Sequence, residues 1–255
     1  MSLRSQNKNA VSKVFELIDQ EIKSRINDYG YDLGQLAKLY FDFFEQLKFR
    51  VGASAGFTGL SEYIILKAIL EYLEKNLSIT FNEPIPKTQD GHTRFFLSKD
   101  HKVLITHSTS IDNDLEKALR NELATHIKIH WKSEARRLRP DIVIFKRIQD
   151  RYEPIAIIQV KIYPVTSNVI VDEVGDPSNP EKKGKFEKMD TGSSLMALIF
   201  FHKISPKYFK DIFVDRYPDR ATVIIVKKEN NSCVEEAFKI KFKELLERIK
   251  EKILE

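Results

Sequence analysis

Cysteine is nearly missing from this 255-residue sequence, in which Cys233 is the only one. Its scarcity excludes disulfides within the chain and centres that need several cysteine ligands, such as iron–sulfur clusters and cysteine-rich zinc sites. Long apolar runs are missing too, since the strongest, residues 195–201, is far shorter than the roughly 20 residues of a membrane-spanning helix. The chain also lacks repeats and low-complexity tracts. We therefore expect a globular protein of the reducing cytoplasm without membrane contact.

The charge balance is modestly basic. Lys and Arg number 42 against 37 Asp and Glu, which gives a net charge of +5 and a pI near 9.0. A basic surface attracts phosphate backbones, so the composition favours a polyanionic partner such as nucleic acid. Many basic proteins bind no nucleic acid, and the function must therefore be argued from a site.

Two short apolar runs carry polar residues where a buried strand would normally carry Val or Leu. Asp141 opens the run that continues to Phe145, and Gln159 and Lys161 lie near the end of a run that starts at Ile155. Runs of this length, rich in Ile and Val and bounded by Pro or charged turn residues, indicate buried β-strands. Burying unpaired polar groups costs several kcal/mol, so these three side chains need partners.

The three side chains can meet if the strands form a hairpin. Gln159 and Lys161 are two positions apart and share one face of a strand. In an antiparallel hairpin that turns through residues 146–154, Asp141 joins this face when it lies opposite either of them, which requires an odd number of loop residues. A carboxylate, an amide oxygen and an ammonium group would then converge, as in a site that binds a hard divalent cation and polarises a phosphate or its attacking water.

A buried helix upstream contributes a further carboxylate. We predict a linker over residues 52–59 that ends at a helix-capping Thr58, followed by a largely apolar helix over residues 61–75. Glu62 falls in the first turn of that helix. It is either a carboxylate favoured by the positive end of the helix dipole or a ligand of the metal site.

Two polar segments precede the hairpin and leave alternatives open. His126 and His130 alternate with apolar residues, which favours a half-buried strand; in a helix they would align with Glu122 as a zinc site. The basic residues that follow form either a solvated loop or a surface that positions phosphates. These DNA-binding candidates are Lys132, Arg136, Arg137 and Arg139.

Elsewhere, periodicity gives a coarse outline of the chain. Residues 1–52 are predicted to form a helical region, with two helices between residues 11 and 50 that pack on the core, dimerise or contact a partner, and residues 53–255 the main domain. The further predictions are an antiparallel excursion over residues 77–110, a helix over 112–125, a mobile loop over 172–188, a helical segment over 208–213, a strand over 221–226 and a C-terminal helix from about 234.

Together, Glu62 on a buried helix, Pro140-Asp141 at a strand start, and Gln159-Val160-Lys161 on the next strand resemble the PD-(D/E)XK nuclease superfamily. The resemblance implies an α/β fold with a restriction-endonuclease-like core, a central mixed β-sheet flanked by helices. The predicted N-terminal helical arm and C-terminal helix complete the fold and lie outside the resemblance. The core order is a helix, three antiparallel strands, a helix and a parallel strand. These would be residues 59–75, 126–131, 140–147, 154–162, a helix within 183–194, and 195–201.

The resemblance also implies a function, a Mg²⁺-dependent DNA endonuclease in which Mn²⁺ can substitute. Glu62, Asp141 and Gln159 would be the metal ligands, and Lys161 would complete the catalytic set. Gln159 departs from the family pattern, which most often has Asp or Glu there; it brings no charge, so cation affinity would depend on Asp141 and Glu62.

Other readings stay open. The long N-terminal region favours a restriction-type enzyme able to form a homodimer, while a repair or mobile-element nuclease is an alternative. The protein could instead be a non-catalytic DNA-binding or assembly module that retains the fold, or a helical protein-interaction factor. The simplest alternative is a buried Asp141–Lys161 ion pair in an unrelated α/β protein.

Overall fold

A computed structural model of the chain describes residues 55–87, 94–161, 167–176, 178–179, 181–201, 213–225, 228–229, 232–233 and 236–255, together with residue 20. Apart from residue 20, the predicted helices between residues 11 and 50 lie outside these ranges, as does most of the predicted helical segment 208–213. No helix within the described ranges is long and apolar enough to cross a membrane.

The fold is α/β, with helices on a mixed eight-stranded sheet. The strands of this sheet are β1 (Ile85–Pro86), β2 (Arg94–Leu97), β3 (Val103–His107), β4 (Lys128–Ile129), β5 (Ile142–Ile148), β6 (Arg151–Lys161), β7 (Leu195–Phe200) and β8 (Ala221–Ile225). A separate small hairpin pairs β9 (Lys228–Glu229) with β10 (Ser232–Cys233). The helices are α1 (Ala55–Leu77), α2 (Asn113–Leu123), α3 (Ser167–Val174), α4 (Lys185–Met189) and α5 (Glu236–Leu254).

The sheet changes from antiparallel to parallel at β6. Its order is β1-β2-β3-β5-β6-β7-β8, antiparallel as far as β6 and parallel from β6 to β8. β6 is long enough to pair β7 along its second half and the short β4 at its start, also in parallel. The β6–β7 connection runs through α3 and α4, as parallel neighbours require a crossover.

Each face of the sheet supports one apolar cluster, because successive strand residues point to opposite sides. α1 and α5 pack on the first face, where Ile144 and Ile158 lie with Leu245. α2, α3 and α4 cover the second face, where Val143 and Ile157 lie in one buried cluster. The apolar runs that were predicted to be buried strands thus contribute to two cores, one on each face of the sheet.

The predicted strand order of the core is wrong at its first strand. β3 pairs with β5 in the place that was predicted for residues 126–131. β3 itself had been predicted to belong to a separate antiparallel excursion over residues 77–110. Residues 126–131 show the predicted alternation, with exposed His126 and His130 beside buried Ile127 and Ile129, but only two of them pair, in parallel with β6. The alternative zinc site is also wrong, because α2 ends at Leu123 and the histidines do not continue it.

Two further boundaries differ from the prediction. α1 begins at Ala55, so much of the expected linker is helical and Thr58 is not its cap. Within residues 172–188, which were predicted to be a mobile loop, α3 ends at Val174 and α4 begins at Lys185. The predicted helix within residues 183–194 is thereby confirmed as a single short turn of helix.

Four other predicted elements are confirmed: the helix over residues 112–125, the strands over 195–201 and 221–226, and the C-terminal helix. α2 starts after Asp112, whose side chain accepts hydrogen bonds from the backbone N–H groups of Asp114 and Leu115. β7 and β8 match the two predicted apolar strands. α5 buries the predicted apolar stripe at Phe242, Leu245, Leu246 and Ile249.

Candidate active site

A β-bulge in the β5–β6 hairpin brings the site together. The turn consists of Gln149 and Asp150, much shorter than the predicted loop over residues 146–154. Ile155 is an extra residue in β6, and beyond it the pairing shifts by one, so that Asp141 lies opposite Gln159. The register passes through Phe145 with Pro154, Ile144 with Ala156, and Ile142 with Ile158.

The bulge decides whether Gln159 and Lys161 share a face with Asp141. With an uninterrupted register from the turn, Asp141 would lie opposite Ile158, and Gln159 and Lys161 would point to the opposite face of the sheet. With the bulge, Asp141, Gln159 and Lys161 all point to the second face, which α3 covers. The predicted convergence of these three residues is confirmed, although a bulge and not an odd-length loop produces it.

Asp141 lies in an environment that resists its ionisation. Its Oδ2 accepts a hydrogen bond from the Val160 N–H at 2.6 Å and lies 3.4 Å from Lys161 Nζ. Burial raises the pKa of Asp141 to about 6; Lys161 and the Val160 N–H oppose this rise, while the charges of Glu62 and Glu173 add to it. A buried group of carboxylates with a raised pKa is an environment that added positive charge would stabilise.

Lys161 sits among three acceptors. Its Nζ donates to Gln159 Oε1 at 3.1 Å and lies 3.4 Å from Asp141 Oδ2 and 3.2 Å from Glu173 Oε1. Burial by itself lowers the pKa of Lys161, but the Asp141 and Glu173 carboxylates outweigh it and raise the pKa above its ordinary value. Lys161 is therefore an ammonium cation at neutral pH.

Gln159 is almost completely buried, at 1% exposure. Its oxygen faces Lys161, while its Nε2 has no hydrogen-bond partner among the described residues. Leaving a buried donor unpaired costs about 1–3 kcal/mol, which is a reason to expect a ligand or a water at this position.

Glu62 reaches the site from α1, which packs on the face of the sheet opposite to the one that α3 covers. It lies in the second turn of α1, so the helix-dipole interpretation that rested on a first-turn position is wrong. Its carboxylate accepts a hydrogen bond from Ser108 Oγ and lies 3.5 Å from His107 Nε2. The Ser108 N–H in turn donates to the Asp141 carbonyl oxygen at 2.7 Å, which ties the end of β3 to the start of β5.

Sequence reasoning missed several members of this site. His107 ends the otherwise apolar β3 and Ser108 follows it directly; this polar pair was not used in the prediction because β3 was not recognised as a core strand. Glu173 lies on α3 and was hidden in the polar composition of residues 172–188. Lys185, at the start of α4, donates to Glu173 Oε1 at 2.7 Å.

The predicted basic residues lie outside this group of contacts. Lys132 donates to the carbonyl oxygen of Glu187 at 3.3 Å, and Arg136 contacts the side chain of Asn113 on α2. Arg137 and Arg139 are exposed on the segment that leads into Asp141. Two of the four cations are thus engaged within the protein, and two face solvent next to the hairpin.

The oxygens of Glu62, Asp141 and Gln159 fit a hard divalent cation if water supplies the rest of its ligands. Within the described ranges, no three His, Cys, Asp or Glu side chains form a metal-binding group by themselves. Glu62 and Asp141 nevertheless lie close enough for the charge of Glu62 to raise the pKa of Asp141. Mg²⁺ is usually held by one or two carboxylates with water, and the amide oxygen of Gln159 would add a neutral ligand.

Comparison with known proteins identifies no relative. No protein-family model matches the sequence, and neither curated proteins nor solved structures include a significant match. The functional argument therefore depends on the geometry of this site.

Proposed function

We propose that this protein is a Mg²⁺-dependent DNA endonuclease with a restriction-endonuclease-like core of the PD-(D/E)XK type. The observation that carries the proposal is the meeting of Asp141, Gln159 and Lys161 on one face of the hairpin, with Glu62 arriving from α1. The element order supports it as well. α1, the antiparallel strands β3, β5 and β6, the α3–α4 crossover and the parallel β7 follow the order that this superfamily implies.

Each side chain has a distinct task in this proposal. The oxygens of Asp141, Glu62 and Gln159 would hold the cation, Mg²⁺ or Mn²⁺ as its substitute. When bound, the cation would polarise a phosphate oxygen and the attacking water. Lys161, held as an ammonium, stabilises negative charge that develops on the phosphate as water attacks in line with the leaving oxygen.

The exposed arginines would contact the phosphate backbone of the substrate. Arg137 and Arg139 lie on the segment that ends at Asp141, so a phosphate backbone that contacts them would pass close to the site. Such contacts supply affinity without reading sequence, and they make binding sensitive to salt.

Cleavage of supercoiled plasmid in Mg²⁺ or Mn²⁺ tests this function. We expect nicked or linear product with the wild type and none with Asp141→Asn or Lys161→Met. Asp150→Asn and Lys146→Met are matched controls, because they lie on the same hairpin at its opposite end, and both should cleave normally. Absence of cleavage by the wild type, or cleavage that persists in Lys161→Met, would refute the proposal.

A second candidate is a non-catalytic DNA-binding or assembly module. The neutral Gln159, whose oxygen already accepts a hydrogen bond from Lys161, favours it because this residue adds no charge to a cation site. Calorimetry separates the two functions. Mn²⁺ binding that disappears in Asp141→Ala favours the enzyme, whereas DNA binding that is indifferent to metal favours the module.

We further propose a restriction-type enzyme that forms a homodimer. Sedimentation of the full chain with and without a DNA duplex tests the oligomeric state. A monomer under both conditions would instead favour the repair or mobile-element alternative.

A further inference from the structure

Glu173 lies at the centre of the site, but the proposed mechanism gives it no role. It lies one residue before the end of α3, and its side chain is only 3% exposed. Its Oε1 accepts from both Lys161, at 3.2 Å, and Lys185, at 2.7 Å. Its Oε2 is buried and has no donor within the described part of the chain. This carboxylate therefore joins the hairpin to the start of α4.

A close contact between two glycines fixes this junction. Gly175 follows α3 directly with a φ of +92°, a conformation that favours glycine. A Cβ on Gly184, the residue before α4, would lie 2.2 Å from the Gly175 backbone nitrogen. The chain on either side of this contact is thereby held close, which places Glu173 and Lys185 within hydrogen-bond distance.

Arg216 binds the C-terminal end of α3. Arg216 Nη1 donates to the carbonyl oxygen of Val174 at 2.9 Å, and its Nη2 lies 2.8 Å from Glu187 Oε2 on α4. The last turn of α3 is thus tied to α4 by backbone packing and by side-chain hydrogen bonds. Glu173 is presented to Lys161 from a fixed element and not from a loose loop.

We propose that Glu173 is a positioning residue, which holds the Lys161 ammonium against Asp141 and Gln159 while Lys185 holds Glu173. An ammonium has three N–H donors, and Asp141, Gln159 and Glu173 offer three acceptors, so the set is complete. Without Glu173 the long lysine side chain regains rotational freedom. This inference depends on the proposed nuclease function, since Lys161 acts there on the phosphate.

The first test measures how fast a reagent modifies Lys161 in the absence of cation and substrate. The wild type, Glu173→Ala, Glu173→Gln and the control Glu181→Gln are labelled with a lysine-selective acylating reagent, and mass spectrometry quantifies modification of the Lys161 peptide. Glu181 is exposed in the same crossover. We expect Lys161 to react several-fold faster in Glu173→Ala, at an intermediate rate in Glu173→Gln, which retains an acceptor, and unchanged in Glu181→Gln.

The second test measures kinetics on a duplex substrate. Loss of an outer contact to a catalytic group costs about tenfold to 100-fold in activity. We expect this loss in kcat for Glu173→Ala, with KM and Mn²⁺ affinity near the wild-type values and partial rescue in Glu173→Gln. A purely structural role would lower thermal stability but would not separate kcat from KM.

The outcomes distinguish this inference from the proposed function. If the wild type does not cleave DNA, the nuclease function fails, and the labelling still decides whether Glu173 holds Lys161. If the wild type cleaves and Glu173→Ala keeps both wild-type labelling and wild-type kcat, the positioning role is overturned. Faster labelling with unchanged kcat overturns it as well. Should Glu173→Ala fail to fold, the isosteric Glu173→Gln and Lys185→Met answer the same question.

Discussion

Replacing Asp141 with Asn should change how the stability of the protein depends on pH. The pKa of Asp141 is raised from 3.8 to about 6 in the folded protein, chiefly by burial. A carboxyl with a raised pKa stabilises the fold when it is protonated, and this stabilisation is lost as pH rises from about 4 to about 6. A shift of about 2 pH units corresponds to about 3 kcal/mol. The asparagine variant lacks this titration.

Urea unfolding of both proteins between pH 4 and pH 7.5, without divalent cations, measures the effect. The difference in unfolding free energy should favour the wild type most at the acidic end and decline by about 3 kcal/mol up to pH 6. Other carboxyls, such as Asp112 and Asp190, have lowered pKa values and give the opposite trend, but they titrate in both proteins and cancel. A difference that stays flat, or that rises with pH, would refute the buried-carboxyl account.

Three further outcomes follow from the same geometry. Calorimetry should show Mn²⁺ affinity falling about tenfold per pH unit below about pH 6, because the cation must displace the Asp141 proton; pH-independent binding would contradict this. Deletion of Ile155 should leave Mn²⁺ binding intact, because the shortened β6 then pairs with β5 without a bulge and still sets Gln159 opposite Asp141; lost binding in a protein that folds by circular dichroism would contradict this register. Gly184→Ala should destabilise the fold by about 1–3 kcal/mol in urea, because the added Cβ would meet backbone atoms of Val174 and Gly175, whereas the exposed control Ser193→Ala should have little effect; equal effects would contradict the close contact.

The hairpin and its polar residues could be predicted because strand periodicity is simple. Gln159 and Lys161 must share a face once β6 is a strand, and Asp141 had to join them or remain buried without a partner. The bulge could not be predicted, since Ile155 looks like any other residue of an apolar run. Its effect is visible only in the pairing of β5 with β6.

The errors have physical causes as well. The alternation in residues 126–131 correctly gave their burial, but alternation does not say which strand is a neighbour, and β3 took the place next to β5. Gly56 and Gly59 favoured a linker in the prediction. A glycine lowers the stability of a helix by only about 1 kcal/mol, however, and a long helix can include two. Glu173 was missed because its position depends on a contact between Gly175 and Gly184, which no local pattern reveals.

Anomalous diffraction from crystals soaked in Mn²⁺ would show directly whether a cation binds beside Lys161. We expect a peak within coordination distance of the carboxylates of Asp141 and Glu62 and of the Gln159 amide oxygen, and no such peak in Asp141→Asn. A map without a peak at this position, from crystals in which Mn²⁺ is bound elsewhere, would contradict this expectation.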